Sequence, residues 1–388
     1  MSRSLRFPSS FPNEAEERFL GLLFCPREEF AARWSEWKDT AVFERIDYAT
    51  MRLLPALYLR LRDFGVRDEL SGRITGVYRK VWAQNQLLLD AAGRAVRLLS
   101  GHGIDAIAFK GVALLADAYG DTGARFLGDA DFIIAPEHAA EALRLLSGAG
   151  WRYDGIPFPV DGDPVEVLLA LDREAAFRDE RDCEIDIHWK LFDLSRGPGL
   201  GGRESRMTYA EVRSRARPFV IGGVPCYAFS PEDLLVHVIA HGAVYNQHRP
   251  FRWVVDAMQV IRAGVDWGRV LSLAQAYGFE AEVQVAVAYL VERCWLSVPE
   301  PFLEGLAALR PSRRALRRYY RASDAPSLAL LGTLPLVSRA YWGFDAVGGA
   351  HKSPLGFVRY LSRAYGFRTF SAFLRFAYDK ARKRIWRH

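Results

Sequence analysis

The stretch RFLGDADFII (residues 125–134) decides the fold. It opens polar and acidic and closes on an apolar run, the pattern of a strand that enters a core from a solvent-facing end. Asp129 and Asp131 are two apart, so on an extended strand their side chains point to one face. Two carboxylates on one face can bind divalent cations about 3.5–4 Å apart, the arrangement used in two-metal phosphoryl transfer. Mg²⁺ takes a few carboxylates together with water and phosphate oxygens. A third carboxylate is expected on a neighbouring strand, and EIDIHW (residues 184–189) supplies it as Asp186. In that strand Glu184, Asp186 and His188 share one face and Ile185, Ile187 and Trp189 the other. An acidic face on an otherwise apolar strand costs desolvation and like-charge repulsion unless cations offset it.

Working outward, IDAIAF (104–109) reads as a short buried strand, followed by Lys110-Gly111 at a strand-to-helix turn and a helix over 112–119. Gly at such a turn lets the backbone approach a ligand, and a helix N-terminus offers free N–H groups to phosphate. Lys110 offers a point charge to a triphosphate. Arg125, four residues before Asp129, offers another from the loop that also holds Gly128. A strand is expected over 129–135, an amphipathic helix over 137–147 and a further strand over 151–154. Runs 173–179 and 183–191 read as a hairpin, 197–202 (GPGLGG) as a loop, and 220–227 as a hairpin turning at Gly222-Gly223. Ser230-Pro231 is a strong helix start. Residues 13–100 and those after 230 read as helical, with Leu53, Leu54, Leu57, Leu61, Val81, Leu87, Leu88, Ala91 and Leu98 as core candidates. The alternation of strands and helices predicts an α/β or α+β unit.

The chain has 388 residues, half of them hydrophobic and a quarter charged, which excludes a disordered or fibrous chain. The predicted segments are an N-terminal helical region (1–100), a catalytic core (101–229), a helical domain (230–350) and a basic aromatic tail (351–388). The four cysteines have no regular spacing, which excludes a disulfide scaffold or zinc ribbon and fits a reducing compartment. No secretory signal and no run long enough to span a membrane is present. A cytoplasmic location is expected. The net charge of +6 resides in the tail: residues 351–388 carry a net +9 and the remainder a net −3.

FKG (109–111), RFLGDADFII, EIDIHW and HGAVYNQHRPFRWVVDAMQVI (241–261) together resemble the uncharacterised nucleotidyltransferase family of the polymerase-beta nucleotidyltransferase superfamily. The resemblance covers about residues 85–265, and the paired GDxD and DxHW motifs are its most specific part. It implies an α+β minimal nucleotidyltransferase fold, a small mixed sheet with flanking helices. It implies two Mg²⁺ ions on Asp129 and Asp131 with Asp186 as the third carboxylate, and transfer of a nucleotidyl group from an NTP, by default ATP, with release of pyrophosphate. Gly111 is followed by Val112, where the wider superfamily has a serine, so Lys110 or backbone N–H groups must replace that hydroxyl.

Other features carry blander readings. His237, His241 and His248 lack the companions of a metal signature; His241 is expected to line the site and His237 to sit in the core. Arg252 and Asp256 are spaced for an intrahelical ion pair, with a role at the nucleotide or acceptor as the alternative. In the tail, Phe367, Phe370, Phe373 and Phe376 interleave with basic residues, suiting a helix packed on its own domain, an anionic membrane surface or nucleic acid. No P-loop, GxSxG or GxGxxG motif occurs. The expected acceptor is a small molecule or a protein. The rival functions are a non-catalytic nucleotide-binding protein and an RNA nucleotide-adding enzyme; the slightly acidic body speaks against the second.

Overall fold

The computed structural model describes residues 6–154, 164–171, 173–191, 207–242, 251–324, 338, 341–342 and 352–358. The 197–202 loop, His248 and the aromatic-basic run from Phe367 onward lie outside the described residues.

Seven strands form one mixed sheet: β1 (Ile107–Phe109), β2 (Ala130–Ile133), β3 (Arg152–Tyr153), β4 (Glu174–Arg178), β5 (Glu184–His188), β6 (Arg217–Ile221) and β7 (Val224–Ala228). Their order is β3-β4-β5-β2-β1-β7-β6. β2 runs parallel to β5 and β1 parallel to β7, while the other neighbours are antiparallel. Helices precede and follow the sheet, so the architecture is α+β. Ile185, Ile187 and Phe132 are fully buried, which gives the central strands the apolar support expected from their alternation.

The longest helix, Glu69–Ser100, starts at a reciprocal cap in which Asp68 and Ser71 bond each other's backbone N–H. Leu88, Ala91, Ala92, Ala95 and Leu99 form its buried stripe. Leu87, expected in the core, is 48% exposed, because one residue along a helix turns the side chain by about 100°. The small residues of the stripe allow close approach: a Cβ on Gly93 would stand 3.0 Å from the Cα of Gly222. Gly222 and Gly223 both have positive φ, at 53° and 75°, as a two-residue hairpin turn requires.

The expected helix at 112–119 begins earlier, at Lys110, and passes at Leu115–Tyr119 into a wider π-helical turn. Pro55 occupies the first turn of helix Leu54–Asp63, and the Ser230 hydroxyl accepts from the Asp233 N–H at the start of helix Pro231–Ala240. Helices Arg252–Ala263, Trp267–Tyr277, Glu280–Arg293, Glu300–Ala308 and Arg313–Asp324 follow. Among the described residues no helix is long and apolar enough to cross a membrane.

Candidate active site

The three expected carboxylates come together at the middle of the sheet. Asp131 and Asp186 are direct partners in the parallel register of β2 and β5, so their side chains share one face. Asp129 stands just before β2. Two groups of side chains have ligand atoms all within 4.8 Å of one another: Asp131, Asp186 and His188, and Asp129, Glu184 and Asp186. β1 lies on the other side of β2 and ends at Phe109, opposite Asp131. The next residue, Lys110, has φ +50°, a left-handed conformation that costs a non-glycine residue of order 1 kcal/mol or more. That turn delivers the Lys110 ammonium to Asp131 Oδ1.

His188 completes the pairing. Its Nε2 lies 3.1 Å from the same Asp131 oxygen. Its Nδ1 lies 2.9 Å from Glu174 Oε2, an ion-pair contact whose alignment falls short of a hydrogen bond. Burial disfavours the imidazolium, but the Glu174 carboxylate leads the contacts that outweigh burial and raise the His188 pKa. Glu174 is held well below its ordinary range by the same pairing, against its own desolvation. For Asp131, burial works upward, yet Lys110 and His188 prevail and hold its carboxyl low. For Asp129 and Asp186 the nearby cations do not prevail. The Asp131 charge, then burial, raises Asp129. Burial, then the charges of Asp131 and Asp129, pushes Asp186 up to about 8.

Asp131 thus spends one oxygen on two cations, while its other oxygen, Oδ2, is buried without a hydrogen-bond partner. Asp186 Oδ1 is buried and unbonded in the same way. Native proteins rarely leave such atoms unsatisfied. Hard carboxylate oxygens suit Mg²⁺, so Asp129, Asp131 and Asp186 fit a divalent metal site. Glu184 stands at its rim, paired with Arg178 and raised by burial.

The loop that leads into Asp129 is fixed from two sides. Asn85, on the long helix, donates to the carbonyls of Thr122 and Arg125 at 2.6 and 2.8 Å and accepts from the Leu127 N–H at 3.2 Å. Arg125, predicted to reach a triphosphate, is buried and forms two bonds of 2.8 and 2.9 Å to Asp256. Asp256 also accepts from the Tyr119 hydroxyl at 2.7 Å, which the π-helical turn carries into place. The intrahelical Arg252–Asp256 contact expected from the spacing is 3.8 Å long; Arg125 is the principal partner. Gly111 is buried, and a Cβ there would come within 2.9 Å of both Arg125 Nη1 and Leu127 Cδ2. Its lack of a side chain is therefore used against the loop. Gly128 is exposed at the site's edge.

His241 follows helix Pro231–Ala240 and stacks on His237 at 5.5 Å. Burial, aided by the charges of Lys110 and Arg173, drives its pKa down to about 3, so it is neutral. His237 is buried against Phe109. Sequence reasoning missed Asn85 and Glu174. Glu174 had a signal, since it lies opposite His188 in the predicted hairpin; a mid-helix Asn has none.

Acids on two adjacent parallel strands, with a lysine set against them by a strand-to-helix turn, suit divalent cations and phosphoryl groups, and the family match makes the chain a transferase of the nucleotidyltransferase class. It belongs to the uncharacterised nucleotidyltransferase family, whose sequence pattern matches residues 48–294, more than half of the chain. No curated protein matches it. Among solved structures it is similar to an antigenic nucleotidyltransferase-like protein from Paracoccidioides brasiliensis, at 17% identity over 59% of this chain and 96% of that one, with a TM-score of 0.34.

Proposed function

We propose that the protein transfers a nucleoside monophosphate, AMP from ATP by default, to a hydroxyl or phosphate oxygen of a small-molecule or protein acceptor. The acceptor oxygen forms a bond to the α-phosphorus, the bond from that phosphorus to the β-phosphate oxygen breaks, and pyrophosphate leaves. The observation that carries this reading is the in-register pairing of Asp131 with Asp186, each with a buried, unbonded carboxylate oxygen. Two Mg²⁺ ions bound by Asp129, Asp131 and Asp186 would lower the acceptor's pKa and neutralise charge on the phosphates. Lys110 and His188 hold Asp131 ionised and fix its orientation. Asp186 or Glu184 takes the acceptor proton. Neutral His241, stacked on His237, lines the nucleotide or acceptor site. The expected setting is the cytoplasm, and the basic tail suits contact with an anionic membrane face.

The test is incubation with each α-labelled NTP, Mg²⁺ and a cell lysate. Label is expected on a discrete acceptor, dependent on Mg²⁺ and lost in Asp131→Asn. Label transfer that persists undiminished in Asp131→Asn would overturn the reading.

A further inference from the structure

Two guanidinium groups, Arg125 and Arg252, face the single carboxylate of Asp256, and a third, Arg52, lies over the ring of Phe126 in the adjoining loop. Arg125 takes both oxygens of that carboxylate. Arg252 Nε stands 3.8 Å from it, and Arg252 Nη1 donates to the Phe126 carbonyl at 3.4 Å. Arg52 lies over two rings, 5.1 Å from the centre of Phe126 and 5.4 Å from that of Tyr48. Among the described residues no carboxylate pairs with Arg52, and its Nε is buried without a hydrogen-bond partner. The cluster therefore brings three guanidinium groups together with one carboxylate bonded among them, and unpaired positive charge is costly when partly desolvated. Burial, then the charges around it, brings Arg252 down to about 9, a guanidinium in want of an anion.

The location gives this excess a use. The Asp129 carboxylate is among the charges acting on all three arginines. The Phe126 carbonyl and ring that Arg252 and Arg52 contact stand three residues before Asp129, so the cluster adjoins the loop that leads into the acidic site, and Gly128 of that loop is exposed. Guanidinium forks match phosphate oxygens in pairs. Asp256 locks Arg125, whereas Arg52 and Arg252 retain donors.

We propose that Arg52 and Arg252 form the subsite that holds the terminal phosphates of the nucleoside triphosphate, beside Asp129. The assignment rests on the nucleotidyl-transfer reading for its ligand, but its test does not need turnover. Tripolyphosphate and ATP are titrated calorimetrically into the full chain at fixed salt, without metal and with Mg²⁺. Wild-type protein is expected to bind both. Arg52→Ala is expected to weaken both by about tenfold or more, as loss of a charge-assisted bond implies. Arg252→Lys keeps the charge without the fork and is expected to weaken both in the same direction. Arg181→Ala, at an exposed arginine on the β4–β5 hairpin, should stay within about twofold of wild type. Thermal unfolding reports whether each variant is folded, and Arg52→Gln replaces Arg52→Ala if the latter is not. Failure of wild type to bind tripolyphosphate, or wild-type affinity in the folded Arg52 variant, overturns the subsite. Tripolyphosphate binding that depends on Arg52 in a protein that transfers no label sustains the subsite and sinks the transfer reading instead.

Discussion

Asp131 and Asp186 face each other across two parallel strands, yet they differ in charge state at neutral pH. Lys110 and His188 keep Asp131 ionised, while burial and its acidic neighbours push Asp186 up to about 8. One carboxylate is fixed as an anion and the other holds a proton until a cation displaces it.

Metal affinity should therefore depend on pH through Asp186. Below about 8, binding releases its proton, so affinity is expected to fall by up to about tenfold per pH unit on acidification. Calorimetry of Mg²⁺ or Mn²⁺ binding in two buffers of different ionisation enthalpy counts the proton. A flat affinity between pH 6 and 8 would remove Asp186 from the ligand set.

Stability of the metal-free protein carries the same signature with the opposite consequence. The folded carboxyl of Asp186 titrates near 8 instead of its ordinary 3.8, so between those values the folded chain binds a proton that the unfolded chain releases. This group's contribution is full below about pH 4 and lost as pH rises through about 8. Asp186→Asn should raise Tm at alkaline pH in chelator, by about 1 kcal/mol or more in stability, and should abolish label transfer.

Asp131→Ala should behave otherwise. It strands Lys110 and His188 beside an empty position, and removing one partner of a buried charged pair costs about 3–5 kcal/mol. Urea unfolding of Asp131→Ala against Asp186→Asn is expected to give opposite signs, although both abolish label transfer.

Asn85→Ala removes three bonds to the loop before Asp129 and leaves buried backbone groups unmatched. A loss of about 1–3 kcal/mol is expected. Hydrogen exchange at the Leu127 amide should speed up, and transfer should fall even though Asn85 touches none of the three acids.

Asp256→Ala leaves Arg125 buried without its partner and should cost about 3–5 kcal/mol. Arg125→Met combined with Asp256→Leu should recover part of that loss. A double-mutant cycle with no coupling would contradict the paired geometry.

The acidic core of the site was legible because alternation on a strand is a strict rule. Glu184 with Asp186 and His188 follow from a period of two once β5 is placed, whereas Asp129 stands one residue ahead of β2 and meets Glu184 and Asp186 from the end of the loop. The turn at Gly222-Gly223 and the cap at Ser230 were legible because their chemistry is local. What the sequence hid is what depends on distant packing. Asn85 sits in a regular helix, and only the fold brings the 122–127 loop to it. Arg125 looked like a free cation because Asp256 lies more than a hundred residues away. Leu87 and Leu88 are equivalent in composition, and only helical phase separates the exposed one from the buried one.

The loop ahead of Asp129 is tied on one flank to a helix that precedes the sheet and on the other to a helix that follows it. Severing either flank as a separate fragment would untether the first acid from its companions. The smallest piece of this chain that keeps its acids together is thus far larger than the sheet that bears them, and trimming towards the strands is expected to yield a shell whose first acid no longer meets its companions.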